Sequence, residues 1–191
     1  MNFKRKELEL TGLELLYPRF HKDERGYFSE VWREEWDIPK FKQENESLSS
    51  KGTFRGLHYQ WNMPQGKLIR VVSGSALFFE LDVRYTSPTF GKCEMIHLRN
   101  DLLSWLWVPP GFANSFFALE ENTRIIYKCT EVWSKNEGSI NWKGIPVIEN
   151  VIGDRIKSIS QKDADAPTFS ESKSHLESIS DFFRDNSESI V

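Results

Sequence analysis

A chain of 191 residues, 39% of them apolar, is long enough for one domain with a core of its own. Its 14 Phe, 7 Trp and 5 Tyr favour strands over helices, and a net charge of −3 leaves no basic footprint for nucleic acid. Cys93 and Cys129 are too few for a disulfide framework, and no Cys/His spacing resembles a zinc site. Residues 1–10 lack the apolar run of a signal peptide, and no stretch approaches the roughly 20 apolar residues that span a membrane. A cytoplasmic protein is expected.

Residues 1–20 read as an edge strand, with Leu13, Leu15 and Tyr17 alternating along it before Pro18. Asp23-Glu24-Arg25-Gly26-Tyr27-Phe28 is a turn feeding a strand, with Phe28 and Glu30 on one face. Residues 32–40 are predicted to form a short helix that ends before Pro39. Gln43, Asn45 and Ser47 alternate in an extended run and project from a single face. Strands are predicted at Leu68–Val72 and Leu77–Arg84, split by Ser73-Gly74-Ser75. Others follow at Cys93–Leu98, Trp105–Val108, Ala113–Leu119 and Thr123–Thr130, with Pro109-Pro110-Gly111 as a sharp break. Many short strands at about ten-residue spacing imply a sandwich or barrel. Residues 170–191 change character: they are rich in Ser, Glu and Asp, with Leu176, Ile179, Phe182 and Phe183 at helical spacing. That pattern fits a short amphipathic helix docked on the barrel or on a second subunit, and equally a solvated tail.

The chemistry concentrates between Arg55 and Lys67. Arg55-Gly56-Leu57-His58-Tyr59-Gln60 and Gln65-Gly66-Lys67-Leu68 bring a histidine, a lysine and an arginine together among strand-forming residues. Imidazole titrates near neutrality and can take a proton from a carbon beside a carbonyl. A cation can hold the enolate that results. The same residues are compatible with an ordinary barrel histidine and two surface charges. Strict alternation would also set Arg55 and His58 on opposite faces, unless Gly56 allows a bulge.

A series of motifs then settles which chemistry to expect. Asp-Glu-Arg-Gly-Tyr-Phe (23–28), Gln-x-Asn-x-Ser (43–47), Arg-Gly-Leu-His-Tyr-Gln (55–60) and Gln-Gly-Lys-Leu (65–68) come first. Asp-Val-Arg (82–84), Ser-Pro-Thr-Phe-Gly (87–91), Trp-Val-Pro-Pro-Gly-Phe-Ala (107–113), Tyr-Lys-Cys-Thr (127–130) and Lys-Asp-Ala-x-Ala-Pro (162–167) follow in order. Over about residues 10–168 the chain resembles the dTDP-4-dehydrorhamnose 3,5-epimerases of the cupin superfamily. The resemblance implies an all-β fold: a cupin double-stranded β-helix (jelly-roll) barrel with a few short helices, mainly C-terminal. It divides the chain into an epimerase-like domain over 1–169 and a polar acidic extension over 170–191.

The implied activity is inversion of C3 and/or C5 of a nucleotide-linked 4-keto-6-deoxyhexose, in deoxysugar and surface-polysaccharide biosynthesis. The implied roles are His58 as base, Asp163 as its orienting partner, Lys67 at the enolate oxygen and Tyr127 as acid. Arg25, Glu30, Gln43, Asn45, Arg55, Asn114, Glu137 and Lys162 are implied ligand contacts. Trp133 stands where the family stacks a tyrosine on the base, and an indole offers the same flat π face. No cofactor is expected, since no hydride moves, and no metal is expected, since no cluster of His and Glu ligands is present in the sequence. A homodimer is expected from the resemblance and from the aromatic load.

Two positions depart from the family pattern. Asn114 replaces a usual histidine, and an amide cannot carry a proton. Phe78 replaces a usual aspartate, while Glu80 lies two residues on, on the same strand face. Alternatives are a single-centre epimerase on another nucleotide sugar, or a non-catalytic sugar-binding cupin. A metal-dependent cupin is disfavoured: His58 is followed by Tyr59 and Gln60, and His21, His97 and His175 are scattered.

Overall fold

The computed structural model describes residues 3–36 and 38–183. Two antiparallel sheets face each other. The six-stranded sheet runs β1 (Phe3–Glu7), β2 (Glu14–Pro18), β10 (Trp105–Val108), β7 (Lys67–Ser73), β12 (Thr123–Cys129), β5 (Gln43–Ser49). The five-stranded sheet runs β13 (Glu137–Ser139), β6 (Phe54–Gln60), β11 (Phe112–Ala118), β8 (Ser75–Asp82), β9 (Cys93–Arg99). β3 (Phe20–Asp23) and β4 (Gly26–Ser29) form a separate hairpin. This is the jelly-roll architecture expected.

Alternation along each strand divides the apolar residues among three layers. Ile69, Val71, Phe78, Leu106, Val108, Phe116 and Ile125 fill the space between the sheets. Leu16, Leu68, Trp105 and Trp107 cover the outer face of the six-stranded sheet, together with Phe3 and Trp36. Leu77, Phe79, Leu81 and Phe117 point the other way, outward from the five-stranded sheet, and meet Ile148, Ile152, Leu176 and Ile179. Because β8 is covered on both faces, every one of its residues is buried. Gly74, at φ +74, makes the corner where the chain leaves β7 in one sheet and enters β8 in the other.

The C-terminal helices supply the outer layer. α1 (Pro146–Ile152), α2 (Gln161–Ala164) and α3 (Phe169–Ser178) follow the last strand. α3 opens on a capping box, Thr168 with Glu171. Leu176 and Ile179 are buried against the barrel. Phe183 packs at the edge of that layer and Phe182 is exposed, while 184–191 lie outside the described residues.

Two expectations are corrected. Residues 1–20 do not form one edge strand. A turn at Gly12 (φ +96) separates β1, which is the edge, from β2, which is paired on both sides. The helix expected over 32–40 is absent among the described residues, where turns carry the chain instead. A helix this short cannot sustain itself in water. Here Trp36 is drawn into the cluster with Phe3 and Trp107, and that anchoring sets the path.

Candidate active site

Gly56 sets the geometry of the central strand. Across the β6–β11 ladder Asn114 pairs with His58 and Phe116 with Arg55, so β6 uses three residue steps where β11 uses two. The extra residue is a bulge, with Gly56 at φ +119. A Cβ there would lie 2.4 Å from Ser115 Cβ and 2.7 Å from the Asn114 carbonyl oxygen. The bulge resolves the parity problem, and both Arg55 and His58 line one cavity.

That cavity, of about 160 Å³, lies between the sheets. Arg55, His58, Phe78, Asn114 and Phe116 come from the five-stranded sheet. Ser47, Lys67, Ile69, Ile125 and Tyr127 come from the six-stranded one. His58 and Tyr127 therefore stand on facing walls. The apolar members Ile69, Phe116 and Ile125 escaped the sequence reading. Each is two residues from a polar site residue (Lys67, Asn114 and Tyr127), so strand alternation could have found them.

His58 Nε2 is 2.6 Å from Asp163 Oδ1, and Asp163 is buried. Ser160 caps α2 by accepting from the Asp163 N–H at 3.1 Å. Asn141 Nδ2 donates to the Ala164 carbonyl at 2.7 Å and ties the same turn down. The second carboxylate oxygen accepts from the Gly56 N–H at 3.3 Å. Burial works to raise the Asp163 carboxyl, but the hydrogen bonds with His58, Gly56 and Ser160 outweigh it and hold it below its ordinary value. An ionised carboxylate only accepts, so Nε2 carries the proton and Nδ1 is left as the proton acceptor.

Lys67 lines the cavity and makes no hydrogen bond or ion pair among the described residues. Its ammonium is a donor without an acceptor. Burial raises the Tyr127 phenol, with Cys129 and Glu137 adding to the shift and Arg55 opposing it. Tyr127 is thus a protonated phenol at neutral pH. Arg55 Nε donates to Ser49 Oγ at 3.2 Å, which holds the guanidinium in place.

Behind this wall lies Glu80, fully buried, facing inward as its spacing from Phe78 predicts. Its Oε1 accepts from Asn114 Nδ2 at 2.5 Å, and its Oε2 has no partner among the described residues. Burial pushes its carboxyl well above the carboxylate range, with Asn114 and Lys67 opposing and Glu94 adding. Glu80 does not reach the cavity. Phe78 does, and it makes that part of the wall apolar.

The remaining expected contacts divide into two groups. Gln43 and Asn45 share the face of β5 that carries Ser47, and Tyr127 is the register partner of Asn45. Gln43 Nε2 donates to Asn45 Oδ1 at 2.9 Å and Gln43 Oε1 accepts from the Trp133 N–H at 2.8 Å, leaving the indole exposed. Glu137 pairs with Lys162. Lys162 also borders a second hollow, of about 330 Å³, which reaches Arg55, His58 and Asp163 from behind. Arg25 and Glu30 are not brought to the cavity. Arg25 lies at the β3–β4 hairpin paired with Asp23, and Glu30 just beyond it pairs with Arg33. Among the described residues no three His, Cys, Asp or Glu side chains are grouped as metal ligands would be.

The model of the family described as dTDP-4-dehydrorhamnose 3,5-epimerase matches residues 7–171. A protein of that name from Sinorhizobium fredii is 38% identical over 173 residues, covering 86% of this chain and 88% of the relative. One from Neisseria gonorrhoeae is 42% identical over 130 residues, a match spanning 65% of this chain and 40% of that longer protein. A solved structure of dTDP-6-deoxy-D-glucose-3,5-epimerase from Legionella pneumophila, in complex with dTDP-4-keto-L-rhamnose, superposes with a TM-score of 0.80. It is 29% identical, over 91% of this chain and 96% of that one. The chain thus belongs to the dTDP-4-dehydrorhamnose 3,5-epimerase family.

Proposed function

We propose that the protein inverts C3 and/or C5 of a dTDP-linked 4-keto-6-deoxyhexose through an enolate, in deoxysugar biosynthesis. One observation carries this reading: a histidine oriented by a buried carboxylate faces a protonated phenol across a cavity that also holds an unpaired ammonium. Epimerisation next to a ketone needs these three functions. His58 Nδ1 takes the proton from carbon. The electrons move to the ketone oxygen, and Lys67 holds the negative charge where it develops. Tyr127 returns a proton from the opposite face, which inverts the centre. Asp163 stabilises the imidazolium throughout.

Arg55, Gln43, Asn45, Trp133, Glu137 and Lys162 would bind the nucleotide end, with the exposed Trp133 indole stacked on the base. The chain would act as a homodimer. Exposed Phe20, Tyr27 and Phe28 on the hairpin support this, since an isolated two-stranded sheet with apolar side chains in water is marginal. Arg25 and Glu30 would then serve as ligand contacts only across that interface. Residues 1–169 would carry the activity, with 170–191 as an extension. The free thiols Cys93 and Cys129 suit the reducing cytoplasm.

The test is incubation with dTDP-4-keto-6-deoxyglucose in D2O, followed by NMR. Deuterium should enter at C5, at C3 or at both, with inversion. A sugar that gains no deuterium would sink the proposal.

A further inference from the structure

The proposed reaction leaves the Glu80–Asn114 contact unexplained, and the inference drawn from it rests on that reading of the cavity. Asn114 neighbours His58 across the ladder and lines the same cavity. Its Nδ2 is committed to the wall, donating to Glu80 Oε1 at 2.5 Å. Its Oδ1 has no hydrogen bond among the described residues and is left to the cavity. Glu80 is an expensive way to achieve this. It is completely buried, and one of its oxygens has no partner.

We propose that Glu80 is a positioning residue that fixes the polarity of the Asn114 amide, turning Oδ1 into the cavity as an acceptor reserved for a substrate hydroxyl. An amide held through one N–H, with its carbonyl oxygen free, presents that oxygen as an acceptor, whereas Lys67 on the facing sheet offers only donors. A ketone oxygen is favoured at Lys67 and rejected at Asn114; a hydroxyl is favoured at Asn114. Together the two residues read an α-hydroxy ketone in one orientation beside His58. Oε1 accepts from Nδ2 as a carboxylate oxygen, or as the carbonyl oxygen of the neutral acid with the proton on Oε2. Glu94 is the register partner of Glu80 on β9 and Lys67 acts on it from β7, yet only Asn114 is hydrogen-bonded to it.

The test compares kcat/KM for C5–H exchange on dTDP-4-keto-6-deoxyglucose and on its 3-deoxy counterpart, which lacks the hydroxyl beside the ketone. The wild type should prefer the hydroxylated sugar by about tenfold, the scale of one neutral hydrogen bond. Glu80→Met should reduce that preference to within about twofold while raising the melting temperature, since it removes a buried oxygen without a partner. Glu80→Gln retains an acceptor and should keep the preference. Asn114→Leu should lose it, and adding Glu80→Met to Asn114→Leu should change nothing further. If Glu80→Met fails to fold, the contrast between Glu80→Gln and Asn114→Leu carries the test. A Glu80→Met protein that slows on both sugars equally, or Glu80→Gln that loses the preference, overturns the inference and leaves the epimerase reading intact. A wild type that exchanges C5–H on neither sugar overturns the epimerase reading, and the inference with it.

Discussion

His58 and Tyr127 line one cavity from facing sheets, His58 on β6 and Tyr127 on β12. A base and an acid on opposite walls can act on opposite faces of a flat enolate, so the two should fail differently. His58→Ala should abolish both solvent exchange and inversion. Tyr127→Phe keeps the ring and its packing, and should still allow exchange with retention as His58 returns a solvent-derived proton. Its inversion rate should fall by about 10²-fold or more. Product stereochemistry and deuterium content, read by NMR on the same sample, check both. Inversion at the wild-type rate in Tyr127→Phe would remove that residue as the acid.

Lys67→Met should lower kcat by about 10²- to 10³-fold, the cost of losing one group that stabilises an oxyanion. Methionine has similar length, and Lys67 has no ion pair to lose, so folding should be unaffected. Steady-state kinetics beside a thermal melt make the comparison. A large rise in KM with kcat unchanged would assign Lys67 to binding alone.

Asp163 predicts a pH dependence with a definite sign. Its carboxyl is held below the ordinary value of 3.8, so the unfolded chain binds its proton more readily than the folded one does. The stability it contributes is present above that ordinary value and is lost as pH falls through the depressed one. Melting temperatures measured between about pH 6 and pH 2 should therefore fall less steeply for Asp163→Asn than for the wild type. The variant should also lose about 10²-fold or more in activity, because an amide no longer fixes the imidazole tautomer. Parallel melting curves would separate Asp163 from acid stability.

Gly56→Ala should be among the most damaging single-methyl changes in the chain. The added carbon would sit 2.4 Å from Ser115 Cβ in a backbone conformation that L residues rarely adopt. A loss of about 2–4 kcal/mol is expected, measured by denaturant unfolding. Activity should fall further than stability explains, because the bulge is what turns Arg55 and His58 to one side.

A homodimer should be seen by light scattering at micromolar concentration. Phe28→Glu, on the exposed face of the hairpin, should shift it toward monomer without lowering the melting temperature of the barrel. A monomer in the wild type would refute the assembly.

The strands were legible in the sequence because their signal is local. Alternation and Gly/Pro punctuation located β7 to β12 to within about two residues, and the ordered motifs led to the family without any structure. Alternation likewise set Gln43, Asn45 and Ser47 on one face of β5. The short helix over 32–40 was misread because its conformation depends on burying Trp36 in a distant cluster, which no local pattern records. Three features needed the tertiary structure. The turn of Arg55 and His58 to one side depends on how β6 registers against β11, a pairing of residues far apart in sequence. The 2.6 Å contact of His58 with Asp163 spans 105 positions and rests on α2 docking behind β6. The burial of Glu80 against Asn114 follows from β8 being covered on both faces, and coverage belongs to the packed sheets, not to the strand.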